Sequence, residues 1–221
     1  MNRAAGSRLL IVTALLALLA PVVGSSAELT DDGLERIKVS GIDKAYKRPG
    51  ATLAGYRSVL IKPVTVGFSK SWDPRDYGDT PAGLRTKDVE RIRTDLAKLA
   101  EESFSDTLSR GGYMIATQPG PGVLEVEANI VDLFINAPDA QSSALVRTYV
   151  MSVGEMRLNA ELRDSVTGTL LYRVSDHKRG AEDGRLEWAN SVWNQAELAR
   201  MLDGWALRLK KALDASREGA K

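Results

Sequence analysis

Met156-Arg157-Leu158-Asn159-Ala160-Glu161-Leu162-Arg163, followed by Asp164-Ser165-Val166-Thr167-Gly168 and then Leu170-Leu171-Tyr172-Arg173-Val174, is the stretch whose reading decides the fold. Met156, Leu158, Ala160 and Leu162 alternate with Arg157, Asn159, Glu161 and Arg163, the period-two pattern of a strand with one face on a core and one in water. The Asp-Ser-Val-Thr-Gly segment is turn chemistry, and Leu170, Tyr172 and Val174 resume the alternation as a partner strand. An antiparallel hairpin follows.

Working upstream, Leu124, Val126, Ala128 and Ile130 share one face of a further strand that starts at Val123, after which the apolar phase passes to Val131, Leu133 and Ile135. Either a bulge near Ile130 or burial of the strand on both faces accounts for that change. Pro119-Gly120-Pro121-Gly122 forces a turn before it, and residues 113–116 read as a short strand. Val59-Leu60-Ile61 and Val64-Thr65-Val66 form one β-branched run around Pro63, which cannot donate to a ladder and belongs near a strand end or bulge. Between these strands, Val89, Ile92, Leu96, Leu99-Ala100, Phe104 and Leu108 recur at three- and four-residue steps. That is an amphipathic helix, with Thr86 expected as N-cap, Asp88 and Glu90 in its first turn, and Gly111-Gly112 as its stop. Strand, helix, strand predicts a right-handed crossover with the two strands parallel. Downstream, Val192, Ala196, Ala199, Leu202, Ala206, Leu209 and Leu213 form the stripe of a second helix, from Trp188 to about Leu213.

The order predicts an α/β class fold, a single-domain layer sandwich in which a mixed, mostly antiparallel sheet carries two main helices. Residues 57–215 make up that domain, residues 28–56 are a lead-in with one short strand, and residues 216–221 are a polar tail.

The first 27 residues read as an export signal. Arg3 and Arg8 precede an apolar run from Leu9 to Ala20, Pro21 ends it, and Ser25-Ser26-Ala27 offers the small residues a signal peptidase requires, with cleavage between Ala27 and Glu28. A dozen apolar residues fall short of the roughly 20 that span a ~30 Å hydrocarbon core. Of 221 residues, 194 remain after removal of the leader, enough to bury roughly 70% of the unfolded surface.

The leader holds two of the 30 basic residues and none of the 29 acidic ones, so the remainder carries a formal charge of −1 with both signs interspersed. A nucleic-acid partner has no electrostatic footprint here, because duplex binders concentrate Lys and Arg on one face. There is no cysteine, which excludes thiolate zinc sites, iron–sulfur clusters, cysteine nucleophiles, disulfides and acylation through cysteine.

His177 is the only histidine, so every triad or histidine-metal scheme passes through it. Its neighbour Asp176 is a poor orienting acid, because adjacent strand residues point to opposite faces, and no nucleophile-elbow signature is present. Asp73, Asp76 and Asp79 recur at every third position of a long polar loop, a spacing that fails the calcium-loop pattern. Gly111-Gly112 and Gly120-Pro121-Gly122 lack the GK[ST] ending of a phosphate loop. No cofactor or metal is expected. Trp188, Trp193 and Trp205 read as helix packing, whereas Trp72 and Tyr77, on the polar loop, are the candidate contacts to a partner.

Tyr46, Arg48-Pro49-Gly50-Ala51, Tyr56 and Pro63-Val64 with Phe68 and Trp72 resemble the opening of a bacterial exported family catalogued as domain of unknown function 3313. Asn136-Ala137-Pro138-Asp139, Tyr149, Gly154-Glu155-Met156, the Asp164 to Gly168 turn, Trp188-Ala189-Asn190 and Trp205-Ala206 resemble its later motifs. Many relatives look like lipoproteins with a cysteine after the leader, so the missing cysteine leaves lipid anchoring out of the resemblance. The resemblance implies an envelope location and a sheet-and-helix order similar to small accessory lipoproteins, and it implies no activity.

Export, a full core and no catalytic set point to a non-enzymatic interaction or accessory module in the periplasm of a Gram-negative bacterium, or peripheral at its outer membrane. Its partner is an envelope protein or ligand, with no nucleic acid and no integral membrane segment after signal removal. The alternative is a small-ligand-binding or hydrolytic protein using loops 67–85 and 136–147 and the segment around His177.

Overall fold

β6 (Val123–Asn136) and β7 (Ser152–Asp164) form the spine of the sheet. The computed structural model describes residues 29–76, 83–136, 152–179 and 191–219, with backbone alone at 136, 152–153 and 191–197. The two strands pair antiparallel from Leu124 opposite Asp164 to Asn136 opposite Ser152. β8 (Leu170–Arg179) closes the hairpin legible in the sequence, with Leu162 opposite Tyr172. On the other side of β6 lie β3 (Ser58–Ile61) and β4 (Thr65–Phe68), end to end and both parallel to it. β5 (Met114–Ile115) runs parallel to β3, as the strand–helix–strand reading requires.

The lead-in contributes two strands rather than one. β1 (Glu35–Ile37) and β2 (Lys44–Lys47) add antiparallel to the free edge of β8, giving the order β1-β2-β8-β7-β6-β3-β5 with β4 beside β6. The sheet is mixed and mostly antiparallel, as expected. Each edge strand is short, which limits the unpaired backbone open to another chain.

α1 (Thr86–Arg110) and α2 (Ser191–Glu218) cover one face of this sheet. They run parallel to each other: Ser103 Oγ donates to Asp203 at 2.6 Å, and Tyr113, just past α1, donates its hydroxyl to Asp214 at 2.8 Å. The N-cap of α1 is Arg85, not Thr86, and no side chain caps it. Arg85 instead directs Nε to the carboxylate of buried Asp88 at 2.9 Å, so the first turn is held by an ion pair where a hydroxyl cap was expected. At the other end Gly112, at φ 81°, takes the left-handed position that stops the helix. α2 continues to Glu218, past the start of the expected polar tail, and Arg217 there lies 5.2 Å over the Tyr113 ring.

Pro63 divides the apolar run of residues 59–66. Lys62 N–H still donates to Val126 O at 2.9 Å, but Pro63 has no N–H, and Val64 turns its own to Glu101 on α1 at 2.8 Å. The ladder resumes with Thr65 opposite Asn129.

The change of apolar phase along β6 is a bulge. Asp132 sits at φ 53°, and the register with β7 slips between Val131 and Phe134. Burial accordingly passes from Leu124, Val126, Ala128 and Ile130 to Leu133 and Ile135, all facing the helices.

Two apolar clusters fill the space under the helices. One gathers Ile92, Leu96, Phe104, Ile130, Met156, Leu202 and Trp205, and the other gathers Val59, Leu108, Tyr113, Leu124, Leu162 and Leu213. Below the second cluster, hydrogen bonds lock the closed end of the hairpin. Asp164 accepts from the backbone N–H of Val166 at 3.1 Å and Thr167 at 2.8 Å, and from the Tyr56 hydroxyl at 3.0 Å. Arg48 donates Nε to Leu170 O at 2.7 Å and ties the lead-in to the start of β8. The motif residues Arg48, Tyr56 and Asp164 to Gly168 therefore form a structural knot.

Burial of Tyr56, reinforced by the Asp164 carboxylate that accepts its proton, pushes its hydroxyl from 10.0 up to about 12. A raised folded-state value contributes stability that is present below pH 10 and is lost as pH rises through 12. Urea unfolding at stepped alkaline pH checks this: the wild type should lose stability across that window, and Tyr56→Phe should lose less. Equal slopes for the two proteins would contradict the assignment.

Candidate functional site

The carboxyl ends of β4, β6 and β8 and the amino end of β7 meet at one end of the sheet, because β4, β6 and β8 run in the same direction and β7 against them. Both helices start from that end. In open α/β sheets this is where ligand sites gather. The three segments named for a ligand pocket depart from it, at Phe68, Asn136 and Arg179.

His177, Glu155 and Arg179 sit together on the sheet face turned away from the helices. His177 Nε2 lies 3.2 Å from Glu155 Oε2, and Arg179 Nε lies 3.6 Å from the same oxygen. The cross-strand register explains this, since Glu155 pairs with Arg179 and His177 stands one step back on the same face. The His177 backbone N–H donates to Asp43 at 3.0 Å. The imidazole side chain is 22% exposed.

Asp176 points the other way, as strand alternation requires. It is 1% exposed and accepts from Trp205 Nε1 at 2.7 Å and from Asp43 N–H at 3.1 Å, with Lys178 Nζ at 2.9 Å. It is an inward anchor for α2 and lies outside any catalytic pairing with His177. The Asp43 segment bridges the two, holding Asp176 through its N–H and His177 through its carboxylate.

Trp72 is a core residue rather than a partner contact. It is 7% exposed, donates Nε1 to Ile135 O at 3.1 Å, and stacks on Phe68 with ring centroids 4.3 Å apart. Arg93 lies over the outer side of Phe68 at 5.7 Å. The loop composition around Trp72 is polar, and only the fold returns its ring to the end of β6. Tyr77 lies outside the described residues, as do Ala27, Glu28 and Asp79.

Asp73 is occupied by Arg75, whose Nε lies 3.0 Å from both carboxylate oxygens and whose backbone N–H donates at 2.8 Å. The Arg75 side chain holds the Asp73 carboxyl down at about 2. A cation would have to displace that guanidinium. Among the described residues, no three His, Asp or Glu side chains converge to hold a metal ion. No helix there is long and apolar enough to cross a membrane. The concave feature between α1 and α2 is an open groove of about 310 Å³ lined by Thr107, Arg110, Gly111, Asp203, Leu207 and Lys210, on the side away from the His177 end.

The energetics of Trp72 generate a direct check. Trp72→Ala removes a stacked, hydrogen-bonded core ring and should cost about 3–5 kcal/mol in urea unfolding. A change within the noise of the measurement would show that the ring is not part of the core.

No curated protein matches the chain. Among solved structures it is similar to the PelC dodecamer of Paraburkholderia phytofirmans, with 17% identity over 72% of this chain and 93% of that one and a TM-score of 0.35. A minor lipoprotein from Acinetobacter baumannii is 9% identical over 73% of this chain and 93% of that one, with a TM-score of 0.35. A DUF330 protein from Xanthomonas campestris is 12% identical over 79% and 93%, with a TM-score of 0.41. Likenesses this remote carry no functional argument. The decisive match is to the family described as protein of unknown function, DUF3313, over residues 25–209, and the chain belongs to that family.

Proposed function

We propose that the protein is an exported, non-catalytic binding module of the Gram-negative cell envelope, located in the periplasm and working through its surface. The observation that carries this reading is the placement of the only histidine. His177 is engaged by Glu155 on the sheet face away from the helices, and among the described residues no Ser or Thr hydroxyl is hydrogen-bonded to its ring. A nucleophile and its base need that bond, oriented by a third group, and the neighbouring Asp176 is committed to Trp205 instead. The apolar leader and its Ala27–Glu28 cleavage site support export.

Four carboxylates of the described fold are likewise engaged in structural bonds: Asp88 with Arg85, Asp164 with Tyr56, Asp203 with Ser103 and Asp214 with Lys210. Tyr77 is the loop residue left as a contact to a partner. Fractionation of intact cells with amino-terminal sequencing tests the reading. Recovery in the periplasmic extract with Glu28 as first residue is the expected result. A full-length chain in the cytoplasm would overturn it. Tyr77→Ala should weaken association with the envelope fraction and leave the unfolding transition in place.

A further inference from the structure

The sheet face opposite the helices has an ordered chemistry. Across β8, β7, β6 and β4, the residues Ser175, Asn159, Asn129 and Thr65 stand in register, each opposite the next. Four neutral hydrogen-bonding side chains thus form one row at right angles to the strands, about 14 Å long from three strand spacings. Their neighbours along the strands, Leu158, Ala160, Ile130 and Ala128, are buried, which puts the row on the outer face.

Most of the row's capacity is free. Thr65 Oγ1 donates to Asn129 Oδ1, and both N–H donors of the Asn129 amide are unpaired among the described residues. The Asn159 amide and the Ser175 hydroxyl have no partner among the described residues. None of the unpaired atoms of the row is sealed from solvent.

The charges bordering the row compensate one another. On one side Arg173 donates Nε to Glu161 at 2.8 Å and also engages Asp32, and Arg163 engages Glu161. On the other side Arg157 pairs with Asp132 at 3.4 Å and His177 with Glu155 at 3.2 Å. Lys44, in register with Ser175, ends the row on β2 with a positive charge, and Glu127, one step from Asn129 along β6 on the same face, stands near its middle with a negative one. Tyr46, opposite Arg173 on the next strand, puts an aromatic ring on the same face.

A surface of this kind offers no field for an anion and no apolar patch for a protein. Its offer is a line of amides and hydroxyls, repeated at the strand spacing, beside an aromatic ring. We infer that this row binds a neutral, extended oligosaccharide lying across the strands, each sugar unit exchanging hydrogen bonds with one side chain. This rests on the reading of the protein as a binding module.

Titration of the purified protein with cellotetraose and chitotetraose, followed by NMR of the side-chain amides, tests the inference. Saturable shifts should appear at Asn129 and Asn159 with at least one of the two sugars. Asn159→Asp keeps the shape and removes the donor, and should weaken binding about fivefold or more, whereas Leu207→Ala on the helix side should leave it unchanged. No saturable shift with either sugar, shifts centred elsewhere, or full affinity in Asn159→Asp would overturn the inference. Tighter, salt-sensitive binding of polygalacturonate would also overturn it, by showing an anionic ligand. A cytoplasmic location would overturn the envelope reading and leave this titration standing, so the two failures are distinguishable.

Discussion

The pairing of β6 with β7 is the constraint on which the rest of the structure depends. β3 and β4 hang from the outer edge of β6, β8 from that of β7, and β5, β1 and β2 hang from those in turn. The ladder runs unbroken from Leu124 to Val131 and then meets the Asp132 bulge. Without that extra residue the far end of β6 would turn Leu133 and Ile135 to water, because a slip of one residue exchanges the two faces of a strand. With it, both stay under α1 and α2, and Trp72 has a carbonyl at Ile135 to bond.

The two faces of the sheet follow from the connections. β4 to α1 and β8 to α2 each leave from the same end and on the same side, so both helices pack on one layer. The other face keeps its polar alternation; among the described residues no helix packs on it, and the lead-in reaches it through the Asp32–Arg173 pair. Burial on the helix side is not wholly apolar: Asp176 is enclosed beneath α2 and is tolerated because Trp205, Asp43 N–H and Lys178 all address it. This bond set ties the helix, the end of β8 and the entry to β2 at one point.

Elements with local periodicity were legible in the sequence. The hairpin of β7 and β8 showed its alternation and its turn, α1 showed its apolar stripe, and the phase change in β6 was visible but fitted a bulge or burial on both faces equally, until the register with β7 showed the bulge. Features fixed by distant partners were not. β1 and β2 are three and four residues long and are strands because β8 offers an open edge, a fact absent from their own composition. Trp72 lies in a polar loop and is buried only because Phe68 and Ile135 arrive from elsewhere. The opposition of Asp176 and His177 was readable from alternation, but the Trp205 partner that claims Asp176 was not. The row of Ser175, Asn159, Asn129 and Thr65 appears only once the strand register is known.

In this account the outer sheet face is the working surface and the helix layer is its support. The absence of cysteine makes a clean test available, since a single introduced thiol reports on one place. Glu127→Cys lies exposed on the outer face and Leu207→Cys on the helix layer, where the native side chain is 44% exposed. Labelling of each with a thiol reagent that reaches the periplasm but not the cytoplasm should be compared between intact cells and purified protein. The account predicts that both thiols react when purified and that only Glu127→Cys is protected in cells. Equal labelling of the two in cells would contradict it.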